Sequence, residues 1–323
     1  MVFGIIAMIL VGLSWIVWGY VGGEAPKRNL NVGLLLAISA AVAILLCLAG
    51  IAGVMICEKN GIRLHHVVHP AVPDLRNGTV ILISALILFA GIFNFLQIQF
   101  MSKAMASGPN GIIWSFIQSG FIVPFALGVI FFDKPLTWAF ASSLALVLIG
   151  LILFAVSADN NGTGNDNAKG KWLMMTFLSF IATCFCQSLQ YLPSNFDKEV
   201  VDSVSSVWRT LCFFIGLLCG FAILCIVSSK TRSEIVKLLK NKYTWRYSLL
   251  IDAVEIVACC CLMYPGLDAL ADTPVSAMSM QLMTASGIVT FELYAVLILK
   301  EKRKPLQVIA LMLCLASIVA ICF

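Results

Sequence analysis

Charged residues are scarce in this chain of 323 residues, and their scarcity argues against a soluble domain. Asp, Glu, Lys and Arg make up only 11% of the sequence, whereas a soluble domain carries about 25%. Hydrophobic residues make up 61%, and the mean hydropathy is +1.00. The composition predicts a chain that lies in a lipid bilayer.

Sequence motifs of pumps and enzymes are also absent. The chain has no GxxxxGK[ST] loop to bind nucleotide phosphates and no H-E-x-x-H helix to bind zinc. Its 12 cysteines fall in or beside apolar stretches without the ligand spacing of a metal site, so we expect packing roles for them and no cofactor. These absences disfavour an ATP-driven pump, and they make a membrane-embedded enzyme a less favoured alternative.

Long apolar runs recur through the whole sequence. Each has roughly the 20 residues that a helix needs to cross about 30 Å of hydrocarbon. We therefore predict an all-α, polytopic integral membrane protein with ten transmembrane helices. The predicted spans are approximately residues 2–21, 31–57, 79–101, 109–132, 136–156, 171–192, 203–227, 247–270, 274–299 and 304–323.

Basic residues are unevenly divided between the two predicted faces of the membrane. The face that holds the connections after the odd-numbered spans carries fifteen Lys and Arg residues, against five on the opposite face. Cytoplasmic connections carry such an excess, so this basic face is predicted to be cytoplasmic and both termini to lie outside. The net charge of +5 is then an orientation signal, and no nucleic-acid partner is expected.

The order of features in the two halves predicts an internal repeat. Pro109 opens the fourth span and Pro274 the ninth, and each of these spans ends in an acid–lysine pair before Pro-Leu. Repeats with an odd number of spans insert with opposite topology, as in many transporters. We predict two inverted five-helix repeats, at residues 1–156 and 171–323, divided by a polar linker at 157–170.

The segment KAMASGPNGIIWSFIQSGFIVPFALGVIFFDKPLTWAFASSLALVLIGLILF (103–154) joins a hydrophilic lead, a proline-opened helix, an acidic turn and a glycine-containing helix. In this pattern and in its span order, the chain resembles the drug/metabolite transporter (DMT) superfamily, whose EamA-type carriers have two inverted five-helix repeats. It resembles bacterial rhamnose/proton symporters more loosely, through GIFNFLQIQFMSKAMASG (91–108), LILKEK (297–302) and the charge bias.

The resemblance implies a secondary active transporter that takes up a small polar metabolite with protons by alternating access. The solute would be sugar-like, or otherwise neutral or zwitterionic. The partners implied are that solute, protons or another coupling ion, and the lipid of a bacterial cytoplasmic membrane, with the chain acting as a monomer or homodimer. An EamA-type drug or amino-acid exporter and a passive facilitator or channel stay open as alternatives. Many EamA-type exporters are thought to have their termini inside, which this charge pattern does not match.

Ionisable side chains are rare within the predicted spans, where each costs at least about 2.5–3.5 kcal/mol. Glu292 and Glu255 lie in different spans, both about 12 to 14 Å from the basic face at 1.5 Å per residue. Because two carboxyl groups at matched depth could share a proton, we predict proton coupling through Glu292 first and Glu255 second. Arg209 could bind a carboxylate or phosphate of the substrate, or extend to the outer headgroups.

Neutral polar and aromatic side chains within the spans are candidate substrate contacts. Amides both donate and accept hydrogen bonds, which suits hydroxyl-rich ligands, and tryptophan rings can stack on a sugar or base. For any single amide, a hydrogen bond between helices is the alternative. The predicted substrate-binding residues are Asn94, Gln97, Trp114, Gln118, Gln187, Gln190, Arg209 and Gln281, with Trp15 and Trp18 as further aromatic faces.

Pro124 predicts a local break in the fourth span. Its ring removes a backbone N–H, which leaves the carbonyl of Gly120 without its helical partner at membrane depth. Gln118 and Ser119 precede Pro124 by more than one turn. We therefore expect a kinked helix that lines a cavity.

Overall fold

Every regular element in the described part of the chain is helical. The computed structural model describes residues 1–60, 72–108, 110–159, 166–298, 300 and 304–321. The α-helices are α1 (Val2–Ser14), α2 (Ile16–Lys27), α3 (Val32–Lys59), α4 (Gly78–Met105), α5 (Asn110–Gln118), α6 (Ile122–Phe131), α7 (Trp138–Asp159), α8 (Asp166–Tyr191), α9 (Lys198–Asp202), α10 (Ser206–Val227), α11 (Ser229–Leu239), α12 (Lys242–Val257), α13 (Tyr264–Ala271), α14 (Ser279–Leu297) and α15 (Pro305–Ile321).

Seven helical stretches among the described residues are long and apolar enough to cross a membrane. They are Val2–Gly22, Val32–Cys57, Gly78–Met105, Ile113–Phe131, Lys171–Asn195, Ser206–Val227 and Lys242–Ala271. Two shorter apolar helices, Trp138–Leu153 and Pro305–Ala320, accompany them, and α14 lies mostly buried among the others. The prediction of an all-helical membrane protein is confirmed, whereas the count of ten crossings stays a prediction.

Large apolar side chains cover the outside of the bundle. Leu45, Ile152, Ile226 and Met312 are each more than half exposed on four different helices. Lipid chains would cover such side chains in a bilayer, since an outward apolar surface is what hydrocarbon accommodates without a cost in free energy. The outer surface therefore agrees with the composition.

Three of the predicted spans are interrupted helices. Trp15 separates α1 from α2, a 3-10 turn at Ser119–Phe121 separates α5 from α6, and a π-helical turn at Ala258–Met263 joins α12 to α13. The break expected near Pro124 is confirmed. The backbone N–H of Ile122 points to the carbonyls of Ser119 and Gly120, so the tighter turn supplies a donor to the Gly120 carbonyl, which Pro124 leaves without its helical one.

The predicted linker at 157–170 is shorter in the structure. Helix α7 continues to Asp159 and α8 already begins at Asp166, so both helices extend into it. Residues 160–165 lie outside the described part of the chain.

Several helices begin at residues whose side chains accept a bond from the first turn. Asn77 accepts from the backbone N–H of Thr79 at 2.9 Å, and Asn241 accepts from that of Tyr243 at 3.0 Å. Ser205 caps α10 in the same way, at 3.2 Å from the N–H of Trp208. Each cap satisfies one of the donors that a helix start leaves unpaired.

Helices α4 and α10 approach so closely that only glycine fits at their crossing. A Cβ atom at Gly91 would lie 2.0 Å from the carbonyl oxygen of Phe213, and one at Gly216 would lie 1.9 Å from that of Leu88. Small residues at such crossings allow the backbones to pack by van der Waals contact, which holds helices together where lipid removes the hydrophobic driving force.

Replacing Gly216 by alanine should lower the free energy of unfolding by about 1 to 3 kcal/mol, because the added carbon forces the two backbones apart. The measurement is the thermal unfolding midpoint of the purified protein in detergent. Gly50→Ala in α3 is the matched control, since no atom lies within 4 Å of a Cβ placed there. Equal midpoints for the two variants would contradict this account of the crossing.

Candidate functional site

A cavity lies inside the bundle where interrupted and uninterrupted helices meet. Its volume is about 600 Å³, which includes the space that is open to solvent. The lining residues are Val11, Trp15, Trp18, Asn94, Gln97, Ile98, Met101, Trp114, Gln118, Cys186, Gln187, Gln190, Phe213, Glu255, Ala258, Cys259 and Met263. Polar and aromatic side chains are thus gathered at a site inside an otherwise apolar bundle.

Helix α4 presents one polar face to the cavity. Asn94, Gln97 and Met101 recur at the spacing of one side of a helix. The Asn94 amide donates to the Cys186 sulfur of α8 at 3.8 Å, and the Ser179 hydroxyl of α8 donates to the backbone carbonyl of Gln97 at 2.8 Å. These two bonds hold α4 against α8, so the polar faces of both helices meet at the cavity.

Three polar atoms around the cavity are buried without a hydrogen-bond partner. They are the indole N–H of Trp114 and the side-chain oxygens of Gln118 and Gln187. A buried polar group that lacks a partner costs about 1 to 3 kcal/mol. All three belong to residues that line the cavity.

Glu255 is the charged residue of the cavity lining. The indole N–H of Trp18 donates to one carboxylate oxygen, and the Cys259 thiol lies 4.0 Å from the other. Glu255 and Cys259 are four residues apart and share a helix face just before and within the π-helical turn. The cavity therefore contains a carboxyl group that already has one neutral donor.

Aromatic rings form another part of the wall. Trp15 meets Trp114 edge to face, with ring centroids 6.4 Å apart. Trp114 in turn stacks on Phe291 of α14 at 5.1 Å. The second contact fixes the plane of the Trp114 ring beside the cavity.

With this geometry established, the chain can be compared with known proteins. No protein-family model matches it, and no curated protein matches its sequence. Its fold is that of a solved protein. A crystal structure of a protein matches 97% of this chain and 95% of its own chain, with a TM-score of 0.58 and 12% sequence identity. Identity this low shows a common fold and nothing about activity.

The structure gathers seven of the ten sequence-predicted site residues in the cavity. These are Asn94, Gln97, Trp114, Gln118, Gln187, Gln190 and Glu255. The aromatic faces of Trp15 and Trp18 join them. The sulfur-containing part of the lining was not predicted, although helical spacing from Gln97 reaches Met101 and spacing from Glu255 reaches Cys259 and Met263.

Arg209 lies away from the cavity lining and bonds to protein groups. Its guanidinium is 1% exposed and donates to Asp268 of α13 at 2.8 Å. It also donates to the Ser194 hydroxyl at 3.4 Å and the Val201 carbonyl at 3.1 Å, and it lies over the Tyr264 ring. The position expected for a substrate carboxylate is occupied here by the Asp268 side chain, so Arg209 joins α10 to α13.

Gln281 and Glu292 are buried in α14 and are not among the lining residues. The Gln281 amide donates to the Ser143 hydroxyl at 2.6 Å, and Ser143 donates to the carbonyl of Ser317 at 2.7 Å. These bonds connect α14, α7 and α15. The Gln281 amide therefore makes a hydrogen bond between helices, which was the alternative to a substrate contact. Of the two glutamates predicted to share a proton, Glu255 lines the cavity and Glu292 does not.

The pair of buried Arg209 and half-buried Asp268 should be important for stability. Replacing Arg209 by glutamine leaves Asp268 without its partner and should lower the free energy of unfolding by about 1 to 3 kcal/mol, measured by thermal unfolding in detergent. The exposed pair of Lys198 and Asp272, at 3.6 Å, is the control, and Lys198→Gln should cost less than about 1 kcal/mol. A role confined to substrate binding would instead leave the stability of the Arg209 variant unchanged.

Proposed function

We propose that this protein is a secondary active transporter that carries a small polar solute across the membrane by alternating access. One observation carries the proposal: a polar cavity inside an apolar helix bundle, lined by five amide side chains, Trp114 and Glu255, close to the helix breaks at Ser119–Phe121 and Ala258–Met263. Solute sites of secondary transporters lie at such places, beside interrupted helices between the halves of the protein.

The packing of the helices supports two inverted five-helix repeats. In order, the first five segments are α1 with α2, α3, α4, α5 with α6, and α7, and the second five are α8, α10, α12 with α13, α14, and α15. The second segments, α3 and α10, pack on each other, as do the fifth, α7 and α15. Other contacts of one half recur in the other half. The third segment of each half packs on the first segment of the opposite half, as α4 does on α8 and α13 does on α1. The fourth segment does the same, as α5 and α6 do on α8 and α14 does on α1.

That exchange is what a two-fold axis between the halves would produce. With it, α14 and the two shorter apolar helices would complete ten crossings. The excess of basic residues on one face supports an orientation with both termini outside the cytoplasm, and the resemblance to bacterial carriers supports a bacterial inner membrane.

Proton coupling is proposed at Glu255. An ionised carboxylate inside the bilayer costs at least about 2.5 to 3.5 kcal/mol, and a proton removes that charge. Glu255 contacts both the cavity and Trp18, so a change in its protonation alters the wall that the solute touches. The resemblance to sugar symporters makes uptake with a proton the first expectation.

Transport by the reconstituted protein is the test. A solute is first identified by thermal-shift screening of the purified protein against sugars, nucleosides, amino acids and amines. Its accumulation in liposomes is then followed under a pH gradient imposed in either direction. We expect Glu255→Gln to abolish uphill accumulation, because glutamine keeps the shape of the side chain but cannot exchange a proton.

Glu199→Gln is the matched control, because Glu199 is exposed on the short helix α9. That variant should accumulate solute as the unmodified protein does. Uphill accumulation by Glu255→Gln would show that the coupling group lies elsewhere, with Glu292 the next to examine. Saturable counterflow of labelled solute separates a carrier from a channel, and its absence in the unmodified protein would overturn the proposed function.

A further inference from the structure

The charge of the cavity is unbalanced. Glu255 is its acidic residue, and no Lys, Arg or His is present among the described residues that line it. The titratable groups around the carboxyl are Asp252 one turn earlier and the thiols of Cys186 and Cys259. None of these groups is a cation, so a negative charge on Glu255 requires a proton or a positively charged ligand to balance it.

The aromatic wall suits a positive charge. Trp15, Trp18 and Trp114 all line the same cavity as Glu255, and Trp114 is held in place by its stack on Phe291. A cation over the face of an aromatic ring is attracted to the ring, most strongly to tryptophan, and the attraction increases when water is excluded. Tryptophan faces and one carboxylate together form the kind of site that recognises organic ammonium ions.

The unpartnered amide oxygens add a second requirement. The side-chain oxygens of Gln118 and Gln187 are both buried without a donor. Gln118 itself is 1% exposed and Gln187 3% exposed, so these oxygens are not satisfied by bulk solvent. A ligand that carries N–H groups would satisfy them, whereas a quaternary ammonium ion has no N–H to donate.

We propose that the cavity binds a small primary ammonium ion, and that binding of this cation displaces a proton from Glu255. The inference rests on the proposed function of the cavity and names its class of solute. In the step itself, the O–H bond of the Glu255 carboxyl breaks, the proton leaves to solvent, and the ammonium group takes its place beside the carboxylate. The net charge of the site is the same before and after.

This balance has a consequence for transport. If the single carboxyl holds a proton or an ammonium ion in turn, each can cross only when the other is absent. Solute and proton would then move in opposite directions, which is exchange and not symport. The geometry therefore opposes the direction of coupling that the resemblance implies.

Three small probes separate the ammonium charge from its N–H donors. Each carries at least one hydroxyl group; ethanolamine adds a positive charge and N–H groups, choline adds the charge without N–H groups, and ethylene glycol adds neither. We expect ethanolamine to bind the purified full-length protein at least about tenfold more tightly than ethylene glycol, with choline between them. Calorimetry in two buffers of different ionisation enthalpy, at a pH where the free protein holds the proton, should show up to one proton released per ethanolamine bound.

Two variants with matched controls test the groups named. Glu255→Gln should abolish the release of protons and weaken ethanolamine at least about tenfold, while Glu199→Gln should change neither. Trp114→Leu should weaken ethanolamine about tenfold, while Trp138→Leu should not, because Trp138 is 91% exposed on the outside of the bundle. Size-exclusion chromatography of each variant establishes that it is folded.

The inference is overturned if ethanolamine fails to bind the folded protein, if ethylene glycol binds as tightly, or if binding releases no proton in the unmodified protein at any pH tested. Failure of the proposed function gives a different result, in which no solute shows uphill accumulation or counterflow. A neutral solute that accumulates with protons would preserve the transporter and refute the ammonium site.

Discussion

The crossing of α4 and α10 at Gly91 and Gly216 determines where the polar face of α4 lies. Asn94 follows Gly91 by one helical turn, and the Phe213 carbonyl that contacts Gly91 belongs to a residue that also lines the cavity. Because neither glycine has room for another carbon, the two helices cannot slide or separate without losing this contact. The position of Asn94 and Gln97 relative to α10 follows from that one close approach.

The buried polar side chains of the bundle differ in whether they are bonded to other protein groups. The guanidinium of Arg209, the amide nitrogen of Gln281 and the hydroxyl of Ser143 donate to other protein groups and connect helices that are distant in sequence, although the Gln281 oxygen has no partner. The side chains of Gln118 and Gln187 are left with unpaired oxygens beside the cavity. Since an unpaired polar group in a membrane protein carries a cost in free energy, the second set is where a solute can add most to stability, and the proposed site is built on it.

The sequence predicted the fold class and much of the cavity because both depend on local patterns. Apolar runs of sufficient length predicted membrane helices, and the spacing of Asn94 and Gln97 placed them on one face. Pro124 predicted its break because a proline cannot donate the bond. The π-helical turn at Ala258–Met263 lies just before Pro265, whose missing N–H leaves the Cys261 carbonyl without its helical donor. That proline is a local signal for this break too, although no prediction was made from it.

Long-range partners limited the rest of the prediction. Arg209 pairs with Asp268, which lies 59 residues away, and Gln281 bonds to Ser143, which lies 138 residues away. No spacing rule connects residues so far apart. The choice between Glu255 and Glu292 likewise depends on how each helix is rotated about its axis, which is set by packing against neighbours and not by depth in the membrane.

The π-helical turn also divides one long helix into two parts whose rotations are set separately. A π-helical turn holds about one residue more than the α-helical turn that it replaces, so at 3.6 residues per turn the deletion of one residue here would rotate one part against the other by about 100°. Glu255 lies before the turn, and Tyr264 and Asp268 lie after it. A one-residue deletion here would keep the helix continuous yet make the cavity carboxylate and the Arg209 partner incompatible, so the length of this segment is constrained more strictly than its composition.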